Sequence, residues 1–118
     1  MIIIKGELTD LNQYIKALNS HRFVGSKIKK EETERVYWEC KEQKIKPITK
    51  FPVKIIYNWY SPNARKDIDN VAFAKKFIAD GLVMAGILPD DSRKYVKGFS
   101  DNFFIDKEFP RVEIEIIN

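Results

Sequence analysis

Val53-Lys54-Ile55-Ile56-Tyr57-Asn58-Trp59-Tyr60, then the turn residues Ser61-Pro62-Asn63, then apolar residues at Val71, Ala74, Ile78, Leu82 and Ala85, decide the fold. The first run is rich in β-branched and aromatic side chains, which suit a pleated, half-buried surface, and reads as the strongest strand of the chain. The later apolar positions recur at three or four residues, which predicts a helix from about Asp69 to Ala85, with Gly86 as its terminator. Working back towards the N-terminus, Ile2–Leu8 reads as a strand. Asp10 is placed to cap a helix carrying Leu11, Tyr14, Ile15 and Leu18, and Asn19–Gly25 reads as a break. From Lys27 to about Lys46 a long, highly charged helix is expected, with a narrow apolar stripe of Val36, Tyr37 and Cys40. Towards the C-terminus, Tyr95–Phe99 and Val112–Ile117 read as closing strands. The order β-α-α-β-α-β-β predicts an α+β domain over residues 1–118 with a small mixed or antiparallel sheet.

A chain of 118 residues with 44% hydrophobic and 32% charged residues fits one domain with one modest core, and is too balanced for disorder. No apolar run approaches the roughly 20 residues of a membrane helix. Met1-Ile2-Ile3-Ile4-Lys5 is too short an apolar run for a signal peptide. The single Cys40 forms neither an intrachain disulfide nor a zinc cluster. A cytoplasmic location with no membrane is expected, and any metal would be bound through oxygen. The net charge of +4 is unevenly spread. Residues 1–21 are neutral, residues 22–54 hold ten basic and five acidic groups, and residues 55–118 hold nine and ten. The cationic middle suits a polyanion partner, while every aspartate except Asp10 lies in the last segment.

Those aspartates carry the chemistry. In Arg65-Lys66-Asp67-Ile68-Asp69-Asn70, two carboxylates at i and i+2 on extended backbone point to one side, where a strand is expected to enter a helix. Asp69 suits an N-cap, and Lys76, seven residues on, would share its helix face, with Asp80 one turn further. A turn after Gly86 would return Asp90 or Asp91 towards Asp67 and Asp69. Three carboxylates from two segments beside a lysine make an oxygen-ligand site for Mg²⁺ or Mn²⁺. Phosphodiester hydrolysis suits such a site. One cation activates a water, a second about 3.5–4 Å away stabilises the leaving oxygen, and a lysine such as Lys76 adds positive charge to the transition state. Arg65, Lys66 and Lys75 would hold flanking phosphates. Surface D-x-D pairs are common, however, and capping alone accounts for Asp69.

Lys66-Asp67-Ile68-Asp69-Asn70, the helix end Asp80-Gly81-Leu82 and the run Ala85-Gly86-Ile87-Leu88-Pro89-Asp90-Asp91 together resemble the RusA family of Holliday-junction resolvases. The family pattern is an R-D-x-D-N box, a helix with a lysine before D-[AG]-L, and an A-G-[VIL]-x-x-[DN]-D run. The likeness covers about Val53 to Asn118. The first half is looser and is similar to the variant in phage and prophage relatives from Gram-positive bacteria. The resemblance implies a RusA-like fold, metal-binding catalytic aspartates at Asp67, Asp69 and Asp91, and a functional lysine at Lys76. It also implies a homodimer acting on branched DNA, a four-way junction resolved by paired symmetric nicks in recombination and repair. No nucleotide cofactor is expected. Two departures stand out. Lys66 occupies the arginine position of the box, with Arg65 one place earlier. The Asp69-to-Leu82 spacing is a few residues longer than in the best-known member, so Lys75 rivals Lys76.

Outside that region, Arg22, Lys27, Lys29 and Lys30 either grip DNA backbone or form a solvated helix start diluted by Glu31, Glu32 and Glu34. His21 reads as a surface residue. Cys40, Phe73 and Phe77 read as core, and Tyr57, Trp59, Tyr60 and Trp38 as core or interface. Phe99, Phe103 and Phe104 are candidates for an aromatic wedge. Two other readings share these features: a nuclease for flap or other branched DNA, and a non-catalytic DNA-binding module whose aspartates are caps.

Overall fold

The computed structural model describes residues 1–118, with every side chain but that of Arg22; the expected DNA contact of Arg22 therefore lies outside the described residues. The β-branched and aromatic run of the central segment builds β2 (Val53–Ser61). Val53, Ile55, Tyr57 and Trp59 are buried and the residues between them half-exposed, so one face of the strand meets the core. β2 lies inside a four-stranded mixed sheet of order β1-β4-β2-β3. It pairs in parallel with β3 (Val96–Ile105) and antiparallel with β4 (Arg111–Ile117), which pairs antiparallel with β1 (Ile2–Lys5).

Because β2 and β3 are parallel, the chain must cross over between them, and the crossover carries the predicted Asp69–Ala85 helix. It is present as two pieces, α3 (Ile68–Ala72) and α4 (Lys75–Met84). At the junction the bond ladder tightens: Ala74 N–H donates to Val71 C=O and Lys76 N–H to Phe73 C=O, both i→i+3. The backbone stays right-handed helical throughout, so the apolar periodicity runs on unbroken and hides the bend. Asp69 and Lys76 consequently do not share a continuous helix face, and the spacing argument that placed them together is corrected on this point. The end of α4 is as expected. Gly86 takes φ +74°, Ile87 N–H donates to Leu82 C=O at 2.9 Å, and Gly86 N–H donates to Val83 C=O at 3.0 Å.

The N-terminal helices differ at their edges from the sequence reading. β1 stops at Lys5, since Gly6 takes φ +80°. α1 (Leu11–Ser20) is capped by Asp10 in a capping box with Gln13. The expected break at Asn19–Gly25 shrinks to His21, whose ring Nδ1 accepts the Phe23 N–H at 3.3 Å, and α2 runs Arg22–Glu42. α2 and α4 cross closely. A Cβ on Gly81 would stand 2.5 Å from Val36 Cβ, so the glycine of Asp80-Gly81-Leu82 is there because the helices touch. Phe77, Ile78, Leu82, Val36 and Cys40 fill the core above the sheet, and Tyr14 of α1 packs against Phe73 and Phe77 at 5.3 and 5.7 Å. Burial, the first cause, pushes the Cys40 thiol up to about 11, an inert packing group. No described helix is long and apolar enough to cross a membrane.

Candidate active-site groove

The crossover starts beyond the carboxyl end of β2, beside the carboxyl end of its parallel neighbour β3. Asp67 stands at the N-cap position of α3, with no cap hydrogen bond from its side chain, and Asp69 lies in the first turn. The N-cap position expected for Asp69 is thus held by Asp67, and Asp69 Oδ1 accepts the Asn70 N–H at 3.0 Å. Three hollows run along the edge strand β3. The first, about 490 Å³, is bordered by Asp67 and by Phe103, Phe104 and Ile105. The second, about 440 Å³, shares Ile68 and Phe103 with it and is bordered by Asp69, Lys75 and Asp101. The third, about 200 Å³, shares Lys75 and is bordered by Lys76, Asp91, Tyr57 and Phe99. Each hollow shares a wall with the next, and the series, a segmented groove, meets Asp67, Asp69 and Asp91 in that order.

The basic residues of this region are not equivalent. Lys66 borders the first hollow, and its ammonium pairs with the nearly buried Asp10 at 2.9 Å and with Glu7 at 3.7 Å. Burial works against the Lys66 ammonium, but the Asp10 hydrogen bond and Glu7 outweigh it and its pKa is raised. Asn70 Oδ1 accepts the Asn12 N–H at 2.9 Å. Lys66 and Asn70 therefore fasten both sides of the Asp67–Asp69 turn to the start of α1. Lys76 bridges Asp80 at 3.1 Å, as its i,i+4 spacing predicts, and Asp91 at 3.2 Å. Its pKa is raised, first by the Asp80 hydrogen bond, which together with Asp91 outweighs the burial penalty. Lys75 is more enclosed. It pairs with Asp101 at 2.5 Å and lies 4.2 Å from the Phe99 ring centroid.

Asp101 was not singled out by sequence reasoning. Its available signal is local: an acid within Phe99-Ser100-Asp101-Asn102-Phe103, in a segment that forms a strand, is unfavourable unless something pairs with it. Tyr57 lies beside the same groove. Burial, then Asp101, then Asp91, raise its hydroxyl above the ordinary phenol range, so it is a neutral hydrogen-bonding group there.

Among the other candidates, Arg65 is exposed, and its N–H donates to Asn63 Oδ1 at 3.0 Å. Lys27 makes an open i,i+4 pair with Glu31 at 3.9 Å. Lys30 borders a shallow hollow with Asp80 and Met84, which puts the basic side of α2 next to α4. Asp90 Oδ1 accepts the Asp91 N–H at 2.9 Å, a turn role. Phe99 and Phe104 are exposed and Trp38 is solvent-facing, whereas Trp59 is core.

The donor set suits a hard divalent cation in kind, since the ligand-type side chains along the groove, the aspartates with Ser61, Asn63 and Tyr57, all present oxygen. It is not gathered: among the described residues no three His, Cys, Asp or Glu side chains stand close enough to hold one metal. Lys75 and Lys76 instead supply the positive charge opposite Asp101 and Asp91.

An α+β domain whose open groove is bordered by carboxylates and lysines has the layout of a protein that works on a phosphate polymer. The sequence profile of the family Endodeoxyribonuclease RusA matches residues 8–117, nearly the whole chain. The chain belongs to this family, and it is a nuclease, a Holliday-junction resolvase enzyme. No curated protein matches it significantly.

Proposed function

We propose that the chain is a Mg²⁺- or Mn²⁺-dependent endonuclease that resolves four-way junctions by paired symmetric nicks, acting as a homodimer in the cytoplasm of a bacterial cell. The observation that carries this reading is the groove itself, which passes Asp67, Asp69 and Asp91 in series with Lys75 and Lys76 on its wall. Asp67, Asp69 and Asp91 would hold the cation, which when bound would supply Lewis acidity for phosphodiester hydrolysis.

The chain's own residues do the remaining work. The Lys66–Asp10 and Asn70–Asn12 contacts hold the Asp67–Asp69 turn in place before substrate arrives. Lys76, already shared between Asp80 and Asp91, would face the negative charge that grows on the reacting phosphate. Its raised pKa keeps it cationic at any pH a cell provides. Arg65 and Lys75 would hold flanking phosphates, with Lys27 and Lys30 on α2 reaching further backbone. One groove per chain makes one nick. Two symmetric nicks in a junction of approximate two-fold symmetry call for two related copies.

The test is a substrate panel at fixed salt: a mobile four-way junction, a linear duplex and a flap, each with and without Mg²⁺. Junction cleavage that needs the cation, with the duplex left intact, is expected. Preference for the flap would move the reading to another branched substrate, and metal-independent cleavage would remove the cation from it.

A further inference from the structure

Lys75 is the one residue that borders both the hollow with Asp69 and the hollow with Asp91. A long flexible side chain on a helix start would ordinarily sweep a wide volume. This one is fixed from three directions. Asp101 Oδ2 accepts its ammonium at 2.5 Å, the Phe99 ring centroid lies 4.2 Å away, and the Tyr57 ring centroid 6.0 Å away. Asp101 is itself fixed, because its other oxygen accepts the Trp59 Nε1–H at 2.8 Å from an indole that is 2% exposed. A buried indole N–H needs an acceptor. The chain of contacts thus runs from the core, through Trp59 and Asp101, to an ammonium in the middle of the groove.

We propose that Asp101 is a positioning residue that acts through Lys75, holding its ammonium where the phosphate between the Asp69 and Asp91 hollows would lie. This rests on the nuclease reading above, and it assigns a role to two residues, Asp101 and Trp59, that the D-x-D box and the Asp91 run do not contain. The alternative is a plain ion-pair clip between α4 and β3. The two differ in their consequences. Taking a negative charge out of a DNA groove should by itself leave DNA affinity unchanged or raise it. Loss of position should nonetheless slow the reaction.

The experiment compares wild type, Asp101→Asn, Lys75→Gln and the double variant, with Asp101→Glu as a second variant that keeps the charge but displaces it should Asp101→Asn fail to fold. Three quantities are read: the NMR resonance of the Lys75 side-chain ammonium in the free protein, junction affinity in EDTA, and the single-turnover cleavage rate at saturating junction with Mg²⁺. The expected result is a Lys75 ammonium resonance that is sharp in wild type and broadened in Asp101→Asn. Junction affinity should be unchanged or a few-fold tighter, and cleavage about 10–100-fold slower. The double variant should cleave no more slowly than Lys75→Gln alone, because the two residues act as one unit. Wild-type cleavage by Asp101→Asn, or a double variant slower by the product of the two single effects, would overturn the proposal. A wild type that cuts no branched DNA defeats the functional reading instead, and the ammonium resonance, recorded without DNA, still decides whether Asp101 holds Lys75.

Discussion

The Asp67–Asp69 end of the groove and the Asp91 end are held in different ways. The first is fastened to α1 twice, by Lys66 on the nearly buried Asp10 and by Asn70 on the Asn12 N–H. The second sits on a turn after α4, and among the described residues the only ion pair of Asp91 is with Lys76, which is 56% exposed. An exposed pair contributes little to stability and exchanges partners readily, whereas a charge against a nearly buried carboxylate does not. One side of the site is therefore fixed by the fold, and the other is a carboxylate whose counter-charge can be replaced.

The contrast can be broken at several points. The largest effect should come from Lys76, which serves the exchangeable end. Lys76→Ala is expected to slow junction cleavage by about 10²–10³ while the melting temperature barely moves. If Lys75→Ala does this and Lys76→Ala does not, the functional lysine is Lys75. Next comes the fixed end. Asp10→Ala removes the α1 cap and strands Lys66, and should cost about 2–4 kcal/mol in urea unfolding. Asp91→Ala should stay within about 0.5 kcal/mol of wild type; equal losses in the two variants would erase the distinction between the ends. A smaller effect is expected from the pH dependence of the Lys66 contact. Its folded pKa lies above 10.5, so the contribution is complete below that value and is lost as pH rises through the folded pKa. The stability gap between wild type and Lys66→Met, about 1 kcal/mol or less, should therefore close in alkali and persist at neutral pH.

How much of this was readable without coordinates depends on the distance over which each feature is decided. The β2 strand, the Asp10 cap and the Gly86 terminator are local and appear where the residues placed them. The Lys76–Asp80 pair is a one-turn contact and was equally legible. The bend at Phe73–Ala74 was not, because a shift from i→i+4 to i→i+3 bonding leaves the apolar pattern intact. The partners of Lys66 and Lys75 lie far away in sequence, at Asp10 and Asp101, and only the packing of α1 and β3 against the crossover brings them in. Lys66 and Lys75 both read as DNA contacts, since a cation beside a D-x-D box shows its charge but not its partner. Gly81 is an intermediate case: the motif was visible, and the reason for it, the approach of Val36, was not.

The most direct test of a metal-using groove is Asp69→Asn, assayed side by side for junction cleavage and junction binding in Mg²⁺. The variant removes one negative oxygen from a carboxylate whose only hydrogen bond among the described residues is from the next residue's N–H, so the fold should be untouched. Loss of cleavage with junction binding retained is the predicted result. Wild-type-like nicking by Asp69→Asn would contradict Asp69 as a metal ligand, and with it the chemistry proposed for the groove.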